Sequence, residues 1–376
     1  MTPRIVDIDS HVLEPPDLWQ KNLEKEFRHR APRLAHDENG LEYLEIDGRM
    51  PRSYFIRGGT MARPGAVGRD MREVLTPGKV GYLEGRPAGA YDGAARVRFM
   101  DGEEIDITLL YPTLGISLEA ESEDSRFTAS CIRVYNNWIV DLCEPFPERL
   151  FPIAHMPMQD VDEAVRELRR LEKLGVKGVF VNARPVKGLS YGDPYYDPFW
   201  AQVQEMDIPV SLHAFGGPWT MGSEIYPQDS VDSSWWIFVM VFGDSLIGMT
   251  TLFKDALFER FPQVKIVVLE AGCGWLPYWL DRMDGVYEAY SFTTPMKRPP
   301  SEYFKRQCWI SMDPDETTTP VVAQAVGADR LFWASDYPHS GSGPGAVAAV
   351  KGNIASLPEP DQWKILGGNG INLYGL

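Results

Sequence analysis

Two aspartates and two histidines stand where extended runs of this sequence end. Asp9 and His11 close VDIDSH, His213 closes VSLH and Asp336 closes FWASD. Alternate residues of an extended chain share a side, so Asp9 and His11 face the same way. Imidazoles and carboxylates converging from separate strands make a mixed nitrogen and oxygen donor set suited to Zn²⁺, Mn²⁺ or Fe²⁺. Three further groups fall close by: Glu14, three residues after His11, His339, three after Asp336, and Glu270, which ends VVLE. Of the six histidines, His11, His155, His213 and His339 all lie in or just after predicted strands. His155, within PIAHMPM, reads as a packed core residue; the other three read as site residues.

The elements that position these groups alternate in kind. Short apolar, β-branched runs predict eight strands, at 4–9, 105–111, 150–155, 176–182, 208–213, 264–270, 308–313 and 331–336, with helical stretches between them. The clearest helix is VDEAVRELRRLEKLG, where Val161, Ala164, Val165, Leu168, Leu171 and Leu174 share a face and Gly175 gives the stop. Eight such units specify an α/β fold, a (β/α)₈ TIM barrel, whose functional side chains sit where strands end and loops begin. A single barrel domain over 1–376 is expected, carrying insertions at about 14–95 and 214–233. The first, rich in Pro, Gly and charge, is expected as a lobe over the barrel mouth with a hairpin turn at Asp47-Gly48. In the second, Trp219, Met221 and Tyr226 are candidates for an apolar substrate pocket.

Composition excludes several classes of partner. Lys and Arg total 37 against 53 Asp and Glu, a formal charge of −16, so nucleic acid and anionic membrane surfaces are not expected partners. The four cysteines show no CxxC spacing, and no basic run precedes an apolar stretch at the start, which predicts a cytoplasmic protein. The apolar run from Trp235 is interrupted by Asp244, and a buried or interface helix is expected there rather than a membrane span. A homodimer, or a heterodimer with a homologue, is the oligomeric expectation. No glycine-rich phosphate loop and no G-x-S-x-G elbow occurs, so neither a nucleotide cofactor nor serine hydrolase chemistry is predicted.

The strings VDIDSHVLEPPDLW, RVRFMDGEEIDITLLYPTLG, LEAGCGWLPYWLDRMD and FWASDYPHS resemble the amidohydrolase-related family, whose branch includes metal-dependent decarboxylases. The resemblance implies a metal at the barrel mouth held by an acid-x-His pair on the first strand, a His on the fifth and an Asp on the eighth. Those positions are Asp9, His11, His213 and Asp336. One departure stands out: the family's His after the sixth strand is absent, and Glu270 closes that strand instead.

Asp9, Glu14, Glu270 and Asp336 together would repel one another unless cations balance them, and two divalent ions would do so. The resulting pattern is similar to the family's non-heme diiron monooxygenases. It implies two irons (Mn or Zn as alternatives) held by all seven candidates, with His339 and Glu270 also catalytic. The reaction implied is C–H hydroxylation of a small organic or acyl substrate, with O₂ and an external electron donor. The alternatives are a mononuclear Zn or Mn hydrolase or non-oxidative decarboxylase, and a metal-binding partner subunit of a catalytic homologue.

Overall fold

The computed structural model describes residues 4–376 apart from 54–55, 59–60, 186, 215–220, 223–224, 226–233 and 340–342. Its first strand, β1 (Val6–His11), leads into an antiparallel pair, β2 (Arg33–His36) and β3 (Glu42–Glu45). Then come β4 (Ile107–Tyr111), β5 (Leu150–His155), β6 (Gly178–Asn182) and β7 (Val210–His213). The last three are β8 (Ile266–Leu269), β9 (Cys308–Met312) and β10 (Leu331–Trp333). β1 and β4 to β10 form one parallel sheet of eight strands in that order, with helices between them. Beyond β10 the chain returns to β1: Asp336 N donates to Asp9 O (3.0 Å) and His11 N to Tyr337 O (2.6 Å), so the sheet curls into a nearly closed TIM barrel.

Each barrel strand is a short apolar run because both of its faces are covered. Leu109 packs inside with Val6, Ile8, Phe180, Val267 and Phe332, whereas its neighbour Leu110 packs outside, in the cluster shared with Val179, Leu212 and the helices. The helix Val161–Glu172 is N-capped by Asp160 and buries Val161, Ala164, Leu168 and Leu171; Leu174 lies beyond its end and is exposed. At the barrel floor the short helix Asn369–Tyr374 presses Leu373 and Tyr374 into the interior cluster. That contact needs glycine: a Cβ on Gly178 would lie 2.8 Å from the Tyr374 ring.

β1 carries the feature that aims the site. Val6 and Asp7 pair with Ile107 and Thr108, but Ser10 and His11 pair with Leu110 and Tyr111, so one extra residue is bulged between Asp7 and Ser10. Strict alternation would turn Asp9 and His11 away from the face that Val6 and Ile8 present to the interior. The bulge resets the phase.

Between β1 and β4 the chain builds a second apolar cluster, with Trp19, Leu44, Ile46 and Ile56 packed against Phe127 and Ile132 of the helix Ser125–Cys143. The Asp47-Gly48 turn forms, with positive φ at both residues, but only a single bridge, Ile46 with Arg49, flanks it among the described residues; the extended pairing of this lobe is β2 with β3. Of the apolar run's two helices, Ser234–Met240 and Phe242–Lys254, the second buries Met249, Leu252 and Phe253. Trp235 is 73% exposed, and Phe238 and Val239 are also exposed, so the first of these helices is not buried in the chain's own core. All four cysteines are free and buried.

Candidate metal centre

Asp9, His11 and His213 meet at the barrel mouth, all buried. Nδ1 of His11 faces the Pro112 carbonyl at 2.7 Å, and Nδ1 of His213 faces the Ala214 carbonyl at 2.9 Å. A carbonyl oxygen only accepts, so each Nδ1 carries a proton, and each ring offers Nε2 as a lone pair whenever that nitrogen is unprotonated. Those two Nε2 atoms lie 3.2 Å apart. Asp9 Oδ1 is 3.4 Å from His11 Nε2 and 3.5 Å from His213 Nε2, and neither Asp9 oxygen accepts a hydrogen bond among the described residues. Lone pairs and carboxylate oxygens gather this closely when a cation lies among them. Ligand distances of about 2.0–2.2 Å place neighbouring donors about 3–3.6 Å apart, the spacing found here.

Asp336 completes one side. Its Oδ1 is 3.4 Å from His11 Nε2 and 2.7 Å from His339 Nδ1, and it accepts no hydrogen bond among the described residues. His339 lies against the His11 ring (4.1 Å between centroids), and its Nε2 is 2.9 Å from Thr113 Oγ1. Glu270 reaches within 3.6 Å of His213 Nε2. Asp336 and Glu270 both hold left-handed backbone, φ 53° and 47°, an uncommon state for residues with a Cβ and one that clusters at functional sites.

The electrostatics describe a cluster short of positive charge. Burial pushes the Asp336 carboxyl up to about 7 against the pull of His11. Burial, and then Asp336, Asp9 and Asp313, raise Glu270 well above the usual carboxylate range. For Asp9 burial acts upward as well, but His213 and His11 outweigh it and hold that carboxyl well below its ordinary value. A divalent cation relieves the repulsion among such groups.

Glu14 does not join them. Its carboxylate is buried and turned to the loop after β4, where both oxygens accept backbone N–H groups: Thr113 (3.2 Å) and Gly115 (2.8 Å) on Oε1, Leu114 (2.9 Å) on Oε2. The ligand role expected of it gives way to holding that loop. His155 is enclosed at the end of β5, stacked on Phe180 (4.4 Å) with Nε2 3.5 Å from Glu119, apart from the cluster.

Above the cluster opens a cleft, with His213, Glu270, Asp336 and His339 at its base. Its apolar wall comes from Ile56, Pro64, Ile116 and Phe238. The expected pocket residues are not seen there: Trp219 and Tyr226 lie outside the described residues, and Met221 packs toward Gly243 with its carbonyl on Trp236 Nε1 (3.1 Å). Two residues of the site went unnoticed in the sequence. Arg63, 3% exposed, lines the cleft with its guanidinium 5.7 Å from the Phe238 ring. Nothing in the irregular stretch around it marks it out. Asp313 follows β9 and is pushed up to about 7 by burial, then by Glu316 and Asp336. An aspartate closing a predicted strand, as Asp9 and Asp336 do, was the available signal.

Comparison with known proteins places this geometry. The amidohydrolase family model matches residues 85–376, a span that begins after Asp9 and His11. A γ-resorcylate decarboxylase of Polaromonas sp. (strain JS666) is 30% identical over 295 residues, which cover 75% of this chain and 86% of that protein. Among solved structures, an amidohydrolase from Mycobacterium avium subsp. paratuberculosis K-10 superposes with a TM-score of 0.79 at 22% identity over the whole of both chains. A dihydroxybenzoic acid decarboxylase from Polaromonas sp. JS666, solved with manganese and the inhibitor 2-nitroresorcinol, gives 0.68 at 22% identity, covering 100% of this chain and 98% of that one. At such identities these two structures speak for the fold.

Relatives named as decarboxylases overturn the expectation of a non-heme diiron monooxygenase. Non-oxidative loss of CO₂ exchanges a carboxylate for a hydrogen and passes no electrons to another reactant. That reaction, a lyase's rather than an oxidoreductase's, gives O₂, an external electron donor and a second iron nothing to do.

Proposed function

The chain belongs to the amidohydrolase family, and on that premise we propose that it is a metal-dependent non-oxidative decarboxylase. Its substrate is a small unsaturated or aromatic acid with a hydroxyl beside the carboxyl group, the class named in γ-resorcylate and dihydroxybenzoate decarboxylation. One observation carries the metal dependence: two imidazoles whose Nδ1 atoms are committed to carbonyls bring their Nε2 atoms within 3.2 Å of each other, beside a buried carboxylate that accepts no hydrogen bond among the described residues. Asp9, His11, His213 and Asp336 would hold one divalent ion, with manganese, present in the Polaromonas decarboxylase structure, as the first choice. When bound, the ion supplies a Lewis acid that anchors and neutralises substrate oxygens.

The remaining work falls to this chain's own groups. The apolar wall of Ile56, Pro64, Ile116 and Phe238 receives the flat body of the acid and keeps water from it. Arg63, on the same wall, meets an anionic oxygen. The bond between ring carbon and carboxyl carbon breaks with its electron pair left on the ring carbon, CO₂ departs, and a proton must arrive at the vacated position. Glu270, opening into the cleft beside His213 and Asp336, is the side chain placed to hold and deliver that proton. His339, between Asp336 and Thr113, fixes the carboxylate it touches.

The proton step has a direct test. With manganese-loaded protein and 2,6-dihydroxybenzoate in D₂O, resorcinol is expected to carry one deuterium at the carbon that lost CO₂, read by mass spectrometry. A hydroxylated product, or a product retaining the carboxyl group, contradicts decarboxylation.

A further inference from the structure

Arg96 sits in the helix Gly93–Gly102, behind the candidate centre, and is 2% exposed. Among the described residues no carboxylate stands within ion-pair distance of it; Asp7 acts on it only through space. A guanidinium buried without a contact partner of opposite charge is costly unless its donors are all used. Here the fork is shared among neighbouring segments. Nε donates to Gly89 O (2.6 Å) at the end of the lobe, Nη1 to Ser10 Oγ (2.7 Å) and Nη2 to the His11 carbonyl. The face of the guanidinium lies 4.5 Å from the ring of Tyr337, the residue after Asp336, and Phe99 stacks on that same ring at 3.9 Å.

These contacts bear on the two ends of the ligand set. Ser10, which lies between Asp9 and His11, receives Arg96 and passes its own hydroxyl hydrogen to Tyr337 O (3.1 Å). His11 donates its backbone N–H to that same Tyr337 carbonyl and its Nδ1–H to Pro112, while its carbonyl takes Arg96. The plane of one guanidinium thus fixes the spacing between the end of β1 and the loop after β10. A planar fork does this where a lysine ammonium, a single point donor, does not.

We propose that Arg96 is a positioning residue for the metal centre: by clamping Ser10, His11 and Tyr337 it holds Asp9, His11 and Asp336 at ligand spacing and so sets the affinity for the divalent ion. The proposal rests on the metal reading above. Outer contacts that orient ligands typically govern metal affinity by about 10–100-fold.

The test is calorimetric titration of the metal-free full chain with Mn²⁺, with thermal melts by circular dichroism on the same samples. Arg96→Lys is expected to weaken Mn²⁺ binding by about tenfold or more. Ser10→Ala, a smaller change that removes one arm of the clamp, is expected to weaken it several-fold and decides the matter if the lysine variant does not fold. Tyr135→Phe, which removes a buried hydroxyl bond to the Ile153 carbonyl (3.2 Å), serves as the control and is expected to leave Mn²⁺ affinity unchanged. Lower melting temperatures with wild-type Mn²⁺ affinity in both Arg96→Lys and Ser10→Ala would overturn the clamp and leave Arg96 a structural residue. Failure of the unaltered chain to bind Mn²⁺ instead overturns the metal reading itself.

Discussion

Replacing His11 with alanine is expected to lower Mn²⁺ affinity by well over 100-fold and to reduce decarboxylation to background. Loss of an outer contact alone costs about 10–100-fold, and His11 is central to the arrangement. Its Nε2 lies 3.2 Å from His213 Nε2 and 3.4 Å from both Asp9 Oδ1 and Asp336 Oδ1, so it is the atom all three other candidate ligands share. Its Nδ1 is committed to Pro112 O, which leaves the ring no other orientation to adopt. The alanine variant should still fold, because His11 lies in a polar cluster at the barrel mouth rather than in the packed apolar core. Metal content by atomic emission, beside a circular dichroism spectrum, checks both halves of the expectation. A variant that retains one Mn²⁺ per chain at wild-type affinity removes His11 from the centre.

The second large effect concerns proton delivery. Glu270→Gln keeps the shape of the side chain but cannot supply the proton, and a positioned general acid contributes about 10²–10⁴-fold. We expect kcat to fall by that order with Mn²⁺ binding retained, the outcome that separates a proton carrier from a fifth ligand. Steady-state kinetics at saturating Mn²⁺, set beside the metal titration, reads both. Should the glutamine variant lose the metal and regain turnover when Mn²⁺ is raised, Glu270 is a ligand and another group brings the proton.

Most of the barrel was visible in the alternation of apolar runs, because a strand covered on both faces has few ways to be written. Its strand ends were less visible. The runs predicted at 264–270 and 331–336 overshoot the ladders, which stop at Leu269 and Trp333, because Glu270 and Asp336 turn into left-handed backbone to face the cleft. Asp9 and His11 do share a side as their spacing required, yet the side they share depends on a bulge that no residue type announces. Glu14 shows the limit of counting along the chain. Three residues from His11 it looked like a ligand, but its carboxylate is drawn to three backbone amides of the loop after β4, a partner nearly 100 positions away.

The chemistry was harder to read than the donor set. Glu270 in place of the family's usual histidine led toward two irons and O₂, since extra carboxylates call for extra positive charge. Burial offers those carboxylates a different answer. Burial first, and then the neighbouring carboxylates, raise Glu270 well above its usual range, a direction that favours the protonated form a proton donor needs. Arg63 lay hidden for a different reason: it reaches the cleft from an irregular lobe in which no periodicity predicts what faces inward.

Anaerobic turnover tests the proposed function most directly. The purified chain, stripped of metal and then given Mn²⁺ under argon, is incubated with 2,6-dihydroxybenzoate and with 5-carboxyvanillate while released CO₂ is measured. The expected result is CO₂ and decarboxylated product in equal amounts from at least one of these acids, dependent on the added Mn²⁺ and indifferent to O₂. No CO₂ from either acid under argon, with product forming only when O₂ and a reductant are admitted, would contradict it.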